Sequence, residues 1–297
     1  MDRIAEIRGS KLPTQLGLEV GPYFAPIFPK LEGWNVRTMD VFSTEQLRAN
    51  AAFDPAIPDG GVRIEEVDYI FEGSLYEAVT LQGKDSAFDY IVSSHNFEHQ
   101  PNPIRFLADA SRLLCDDGVL TMAIPIGTKC FDKLRNLSST GQLLDAYFNN
   151  QAHPTPGQIF DSVLNHATDS SSNVPIHHSN YKSHHLKTPN GAASESWNAS
   201  FFDYLQNISQ SKIYQDAHCW TFNPVSFRLL VEDLRALGIL PEMKITRIIE
   251  MGLEFIVDLV KQSACDVELL DRASLLKDSL HYFSRDTVRI QPFVVDW

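Results

Sequence analysis

The sequence predicts an α/β fold: a doubly wound, mostly parallel sheet, completed by a C-terminal antiparallel hairpin and interrupted by a long insertion after the fifth strand. Three observations predict it. Short apolar runs alternate with helical patterns from residue 15 to 125, the alternation fails from about 127 to 215, and beyond 224 a helix pattern precedes two strand patterns joined at a glycine. Five strands and the hairpin give a seven-stranded sheet.

Each element has a local reason. Leu16 to Val20 is an apolar run stopped by Gly21-Pro22, and Val36 to Met39 is another stopped by Asp40. Ile64 to Ile70 reads as the third strand and Phe88 to Val92 as the fourth, followed by Ser93, Ser94 and His95. Pro103 opens a helix in which Ile104, Leu107, Ala108, Ser111 and Leu114 recur at helical spacing. Asp117-Gly118 then turns the chain into the fifth strand, Val119 to Ile124. The insertion predicts one helix near Thr140 to Phe148 and loops after it, because residues 166 to 200 are rich in serine, asparagine and histidine. Pro224 to Leu237 is an amphipathic helix closed by Gly238, and Met243 to Glu250 with Glu254 to Val260 form the hairpin around Gly252. Three units follow: a cofactor-binding core at 1–126, a substrate-recognition lid at 127–215, and completion of the sheet with a helical tail at 216–297. The apolar end, Phe293 to Trp297, is expected to dock on the domain or on a second subunit, the latter giving a homodimer.

Composition narrows the function. The 297 residues carry 25 Lys plus Arg against 38 Asp plus Glu, a net charge of -13, which argues against a nucleic-acid backbone or an anionic membrane as the main partner. No apolar run approaches the ~20 residues that span a bilayer, and Met1 to Leu12 has no apolar core of the secretory type. Four scattered cysteines without a Cys-x-x-Cys fit free thiols in a reducing compartment, so the expected address is cytoplasmic.

In an open parallel sheet, ligands gather at the carboxyl ends of the strands. Glu19-Val20-Gly21, Asp40, Asp68 and Ser94-His95-Asn96 all fall at or near such ends. Taken in order, Leu18 to Pro22, Met39-Asp40, Phe88 to Val92 with Glu98-His99, and Arg112-Leu113-Leu114 with Asp117 to Leu120 resemble the class I S-adenosylmethionine-dependent methyltransferases of Rossmann-like fold, and more closely the broad small-molecule and glycan subgroup. The likeness covers residues 15 to 125 and 218 to 260. It implies S-adenosylmethionine as cofactor. Glu19 would then meet the methionine end, Gly21 would let the backbone approach, Asp40 would hold the ribose hydroxyls, Asp68 with the backbone of Tyr69 would face the adenine, and Ser94 with His95 would border the transferred methyl. Only the first glycine of the family's glycine-rich turn is kept, which disfavours a dinucleotide but suits a cofactor without phosphate.

His95 and His218 are the candidate bases for removing a proton from an acceptor hydroxyl. Alternation over Asp216 to Trp220 would place Asp216, His218 and Trp220 on one side of an extended segment, with Asp216 orienting His218. His99 is read as a support for the following helix. No metal ligand is assigned: His153, His166, His177, His178, His184 and His185 lack a supporting carboxylate at ligand spacing. The expected function is methyl transfer to a hydroxyl of a small molecule or glycan, with a non-catalytic binding or regulatory subunit as the alternative.

Overall fold

The computed structural model describes residues 2–54, 57, 60–81, 87–169, 186–187, 199–210, 215–262 and 271–282. In chain order these form α1 (Arg3–Arg8), β1 (Gly17–Val20), β2 (Val36–Asp40), α2 (Thr44–Ala51), β3 (Tyr69–Ile70), α3 (Leu75–Leu81), β4 (Phe88–Ser94), α4 (Pro103–Leu113), β5 (Leu114–Pro125), α5 (Thr140–Phe148), α6 (Pro156–Leu164), α7 (Ala199–Gln210), α8 (Pro224–Ala236), β6 (Met243–Met251), β7 (Glu254–Lys261) and α9 (Arg272–His281). The seven strands form one sheet in the order 3-2-1-4-5-7-6. Neighbours are parallel from β3 through β5, and β7 pairs antiparallel with both β5 and β6. The architecture is the Rossmann-like α/β arrangement that the sequence predicts, hairpin included. A separate two-stranded pairing joins Thr168–Asp169 to Leu186–Lys187.

Both faces of the sheet are covered. On one, α4 lays Ile104, Leu107, Ala110 and Leu113 against Leu18, Ile91 and Leu120, and α8 adds Phe227, Leu230, Val231 and Leu234. Each of the larger of these side chains contributes roughly 1.5–3 kcal/mol on leaving water. Asn223 caps α8 by accepting from the backbone N–H groups of Val225 and Ser226, with Pro224 in the first turn where no N–H is needed.

The other face departs from the expected alternation. Between β1 and β2 there is no α-helix, only a 3-10 turn at Lys30–Glu32. Ile27, Phe28 and partly buried Trp34 take the place of a helix by packing on Val36, Tyr90, Val92 and Ala123, together with Ile7 of α1. Arg8 holds this irregular loop, donating to the Ile27 carbonyl and lying over the Trp34 ring. Proline at 22, 26 and 29 explains why no helix forms across the segment.

Other boundaries differ locally. The third strand is only Tyr69–Ile70, so Asp68 precedes it. The turn at Asp117-Gly118 is a bulge within β5: pairing jumps from Phe88 opposite Leu114 to Tyr90 opposite Val119, with Asp117 at φ +61. The insertion contains α6 and α7 besides the predicted α5. His177, His178, His184, His185, Trp197, Cys265 and Phe293 to Trp297 lie outside the described residues, as does most of the serine- and histidine-rich stretch. Among the described residues, no helix is long and apolar enough to cross a membrane.

Candidate active site

Strand register brings the functional ends together. Val20 lies opposite Met39 on one side and Ser93 on the other, Asp40 lies opposite Ile70, Ser94 opposite Ala123, and Pro125 opposite Glu254. Gly21, Asp40, Ser94, His95 and Glu254 therefore share one edge of the sheet.

On the β1–β3 side, Gly21 adopts φ +68, and a Cβ there would stand 2.8 Å from the Asn96 amide nitrogen. Only glycine meets both conditions without strain. Asp40 ends β2 with a carboxylate whose partners among the described residues are backbone N–H groups of its own turn, at Phe42 and Val41. Burial pushes its pKa up to about 6 against those two hydrogen bonds. Among the described residues no cation pairs with it, so its acceptor capacity suits a vicinal diol. Exposed Ile70 lies beside it, and Phe42 follows it by two residues. Neither was identified from sequence, where an apolar residue next to a strand end carries no signal of its own.

Two expected ligands are committed elsewhere. Glu19 is buried, and its two oxygens accept from the backbone N–H groups of Ile27 at 2.7 Å and Phe28 at 3.1 Å. It holds up the irregular loop in place of meeting a methionine moiety. Burial raises its pKa to about 7, partly offset by those hydrogen bonds. Asp68 accepts from Lys30 Nζ at 2.7 Å and from the Thr38 backbone N–H at 2.9 Å, two residues before the end of β2, and so sits below the edge that would face adenine. Tyr69 buries its side chain in the core while its backbone pairs with Met39.

The β4–β5–β7 side is built differently. Ser94 Oγ accepts from Arg3 Nη2 at 2.6 Å. Arg3 also donates to both oxygens of Glu254, at 2.6 and 3.0 Å, and Glu254 Oε2 lies 2.7 Å from His95 Nε2. His95 holds a left-handed backbone, φ +49, an uncommon conformation for a residue with a side chain and one seen at functional sites. Burial lowers its pKa, but the hydrogen bond to Glu254 and the charges of Glu98 and Glu254 outweigh this and raise it.

Beneath His95 lies a second cluster. Glu98 and His99 occupy the 3-10 turn Phe97–His99 after β4, and the backbone N–H groups of Cys219 and Trp220 donate to the Glu98 carbonyl, which brings residues 216–220 alongside. His218 Nδ1 donates to Asp132 Oδ2 at 2.5 Å, and Arg135 Nη1 donates to Asp132 Oδ1 at 2.7 Å. Burial would raise the Asp132 pKa, yet His218 and Arg135 hold it below the usual carboxylate range. Asp216 Oδ1 approaches His99 Nδ1 to 2.8 Å. The pairing expected from alternation is thus corrected: Asp132 orients His218, and Asp216 belongs to His99. Asp132 and Glu254 were missed because they stand 86 and 159 residues from their histidine partners, beyond any spacing rule.

With this geometry in place, residues 21–122 match the methyltransferase domain family. That match spans about a third of the chain and supports a methyl-transferring enzyme with S-adenosylmethionine as cofactor. No curated protein matches the sequence. Similar solved structures include an S-adenosylmethionine-dependent methyltransferase from Methanosarcina mazei (14% identity, 88% of this chain and 99% of that one, TM-score 0.41). Another is a methyltransferase of the same cofactor dependence, from Listeria monocytogenes (11%, 87% and 97%, TM-score 0.37). A zinc-dependent alcohol dehydrogenase from Rhodobacter sphaeroides also aligns (10%, 89% and 91%, TM-score 0.47). These likenesses are too distant to carry an argument about chemistry.

Proposed function

We propose that this enzyme moves the methyl group of S-adenosylmethionine to a hydroxyl of a small molecule or glycan. The observation that carries the acceptor class is a cavity of about 520 Å³ between the insertion and residues 219–220, walled by Asn136, Gln142, Asn149 and Gln158 together with Arg135 and Trp220. Amide side chains offer both donors and acceptors to a polyol. Arg135 belongs to this wall and also to the Asp132–His218 pair, so the cavity adjoins the histidine cluster.

In this reading Gly21 and Asp40 would hold the cofactor, Asp40 accepting from its ribose hydroxyls, which the left-handed backbone of Gly21 and the strand-end position of Asp40 support. Bound there, the donor supplies an activated sulfonium methyl. The protein's part is to set the acceptor oxygen in line with that methyl, exclude water and take the proton. His95 fits the last task. Its Nε2–H donates to Glu254, its Nδ1 lies 3.8 Å from Glu98 Oε1, and its side chain is 39% exposed while that of His218 is 9% exposed. Held by Gly21 and Asp40, the cofactor would supply the methyl group, and His95 would take the acceptor's hydroxyl proton.

Calorimetric titration with S-adenosylhomocysteine, followed by a screen of hydroxylated small molecules and oligosaccharides for release of S-adenosylhomocysteine, tests this reading. Binding and turnover with a polyol or sugar are expected. Turnover confined to amine, thiol or protein acceptors would overturn the acceptor class while leaving the cofactor in place.

A further inference from the structure

Glu98 is fully buried, and neither of its carboxylate oxygens receives a hydrogen bond from a described residue. An isolated buried carboxylate carries a large desolvation penalty. Its surroundings are unusual. His99 Nε2 lies 3.8 Å from Glu98 Oε1 and His218 Nε2 lies 3.9 Å from it, both too far for a hydrogen bond. The orientation of these rings is set from behind: His218 Nδ1 donates to Asp132, itself fixed by Arg135, and His99 Nδ1 faces Asp216. A neutral imidazole whose Nδ1 carries the proton presents a lone pair at Nε2. In that form two lone pairs and a carboxylate oxygen converge within 4.8 Å of one another, and His95 Nδ1 lies 3.8 Å from the same Glu98 oxygen.

A cation resolves this convergence where hydrogen bonding cannot. A carboxylate behind each ligating imidazole is the usual outer support of a metal site. Two imidazoles and a carboxylate suit a divalent first-row ion, whose bonds of about 2.0–2.2 Å would require the three atoms to close by a few tenths of an ångström or more. We propose that Glu98, His99 and His218 bind a divalent transition-metal ion of the zinc class, with Asp132 and Asp216 as positioning residues. Three protein ligands leave a coordination position for water or another oxygen ligand. His99, whose side chain is 21% exposed, gives the ion a way in. The proposal stands independently of the acceptor reading, since it concerns binding alone.

The set escapes a spacing search because its ligands come from a turn after β4 and from a segment 120 residues further along. His177, His178, His184 and His185 supply a competing explanation for any zinc uptake. The test therefore uses the full-length protein, stripped with a chelator and titrated with zinc chloride by calorimetry and with cobalt(II) by visible absorption. One tight equivalent is expected, with a cobalt d–d band of a low-coordinate nitrogen and oxygen site and a zinc-dependent rise in melting temperature. Glu98→Gln keeps the shape of the buried side chain while replacing its charge. It should therefore fold, and its affinity for zinc should fall at least as far as the roughly 10- to 100-fold associated with losing an outer support. Asp132→Asn should weaken binding within that range, and His218→Ala should remove the tight equivalent. Absence of tight binding in the wild-type chain overturns the site. So does wild-type affinity in folded Glu98→Gln and His218→Ala, which would move the ion to other histidines.

Discussion

The two halves of the sheet's carboxyl edge use the same residue types for opposite purposes. On the β1–β3 side, Glu19 and Asp68 are tied to other segments by backbone amides and a lysine, whereas the Asp40 carboxylate accepts only from backbone N–H groups of its own turn among the described residues. On the β4–β7 side, His95, His99 and His218 are held by Glu254, Asp216 and Asp132, and Glu98 is left without a hydrogen-bond partner. The first half uses charge to hold a loop where a helix is missing. The second uses charge to orient imidazoles. A carboxylate at a strand end is thus an ambiguous signal until its partners are known.

The largest expected effect breaks the second half. His95→Ala should lower turnover on a hydroxyl acceptor by roughly 10²- to 10⁴-fold, because it removes the proton acceptor while leaving the cofactor contacts of Gly21 and Asp40 intact. His95→Asn should not restore activity, since an amide cannot take the proton. The measurement is initial rate together with S-adenosylhomocysteine affinity for each variant. Near-normal rates in both would assign His95 to holding Glu254 and Arg3, with proton removal left to another group or to solvent.

The contrast between halves also explains what could be read from the sequence. Strand ends at Val20, Asp40 and Ser94 were legible because apolar runs stop there, and the hairpin was legible from Gly252 between two β-rich runs. The left-handed turn at Gly21 and the position of Asp40 at the end of β2 followed because they depend on local sequence alone. The missing helix after β1 was less legible: helical and irregular crossovers both bury apolar residues, and here Ile27 and Phe28 do the packing. The hydrogen-bond partners of Glu19 and Asp68 were not legible for a related reason. A carboxylate beside a strand end looks like a ligand unless the loop that occupies it can be placed. The pairings of His95 with Glu254 and His218 with Asp132 are products of tertiary closure alone.

The next effect sharpens the first half. The pKa of Glu19 is raised from 4.5 to about 7, chiefly by burial. A carboxyl raised in the folded state binds its proton more tightly folded than unfolded, so it favours folding at low pH. That contribution is complete below the unfolded value and is lost as pH rises through the folded one. Stability attributable to Glu19 should therefore fall between about pH 4.5 and pH 7, by at most about 3 kcal/mol. Chemical denaturation of wild type and Glu19→Gln across that window should show the difference in slope. Parallel pH profiles would mean that the amides of Ile27 and Phe28 stabilise the anion well enough to cancel its burial.

The smallest effect concerns the carboxylate that the first half leaves open. Asp40 can accept from two ribose hydroxyls only when ionised, and burial has already raised its pKa to about 6. Ligand binding that requires the anion must weaken as pH falls through that value, since part of the binding energy then goes to removing the proton. S-adenosylhomocysteine affinity should therefore be nearly constant above about pH 7 and fall up to roughly tenfold by about pH 5. The ligand's amino and carboxylate groups do not titrate in that window, so the change would belong to the protein. Asp40→Asn should bind more weakly at neutral pH and lose this pH dependence, because an amide offers one acceptor oxygen and does not ionise. Asp40→Ala should cost about 1–3 kcal/mol of affinity. If calorimetry gives a flat wild-type profile and an unchanged Asp40→Ala affinity in a folded protein, the ribose does not rest on Asp40. The β1–β3 half would then hold the cofactor through backbone and apolar contacts alone, and the division of labour between the two halves would be sharper than the hydrogen bonds suggest.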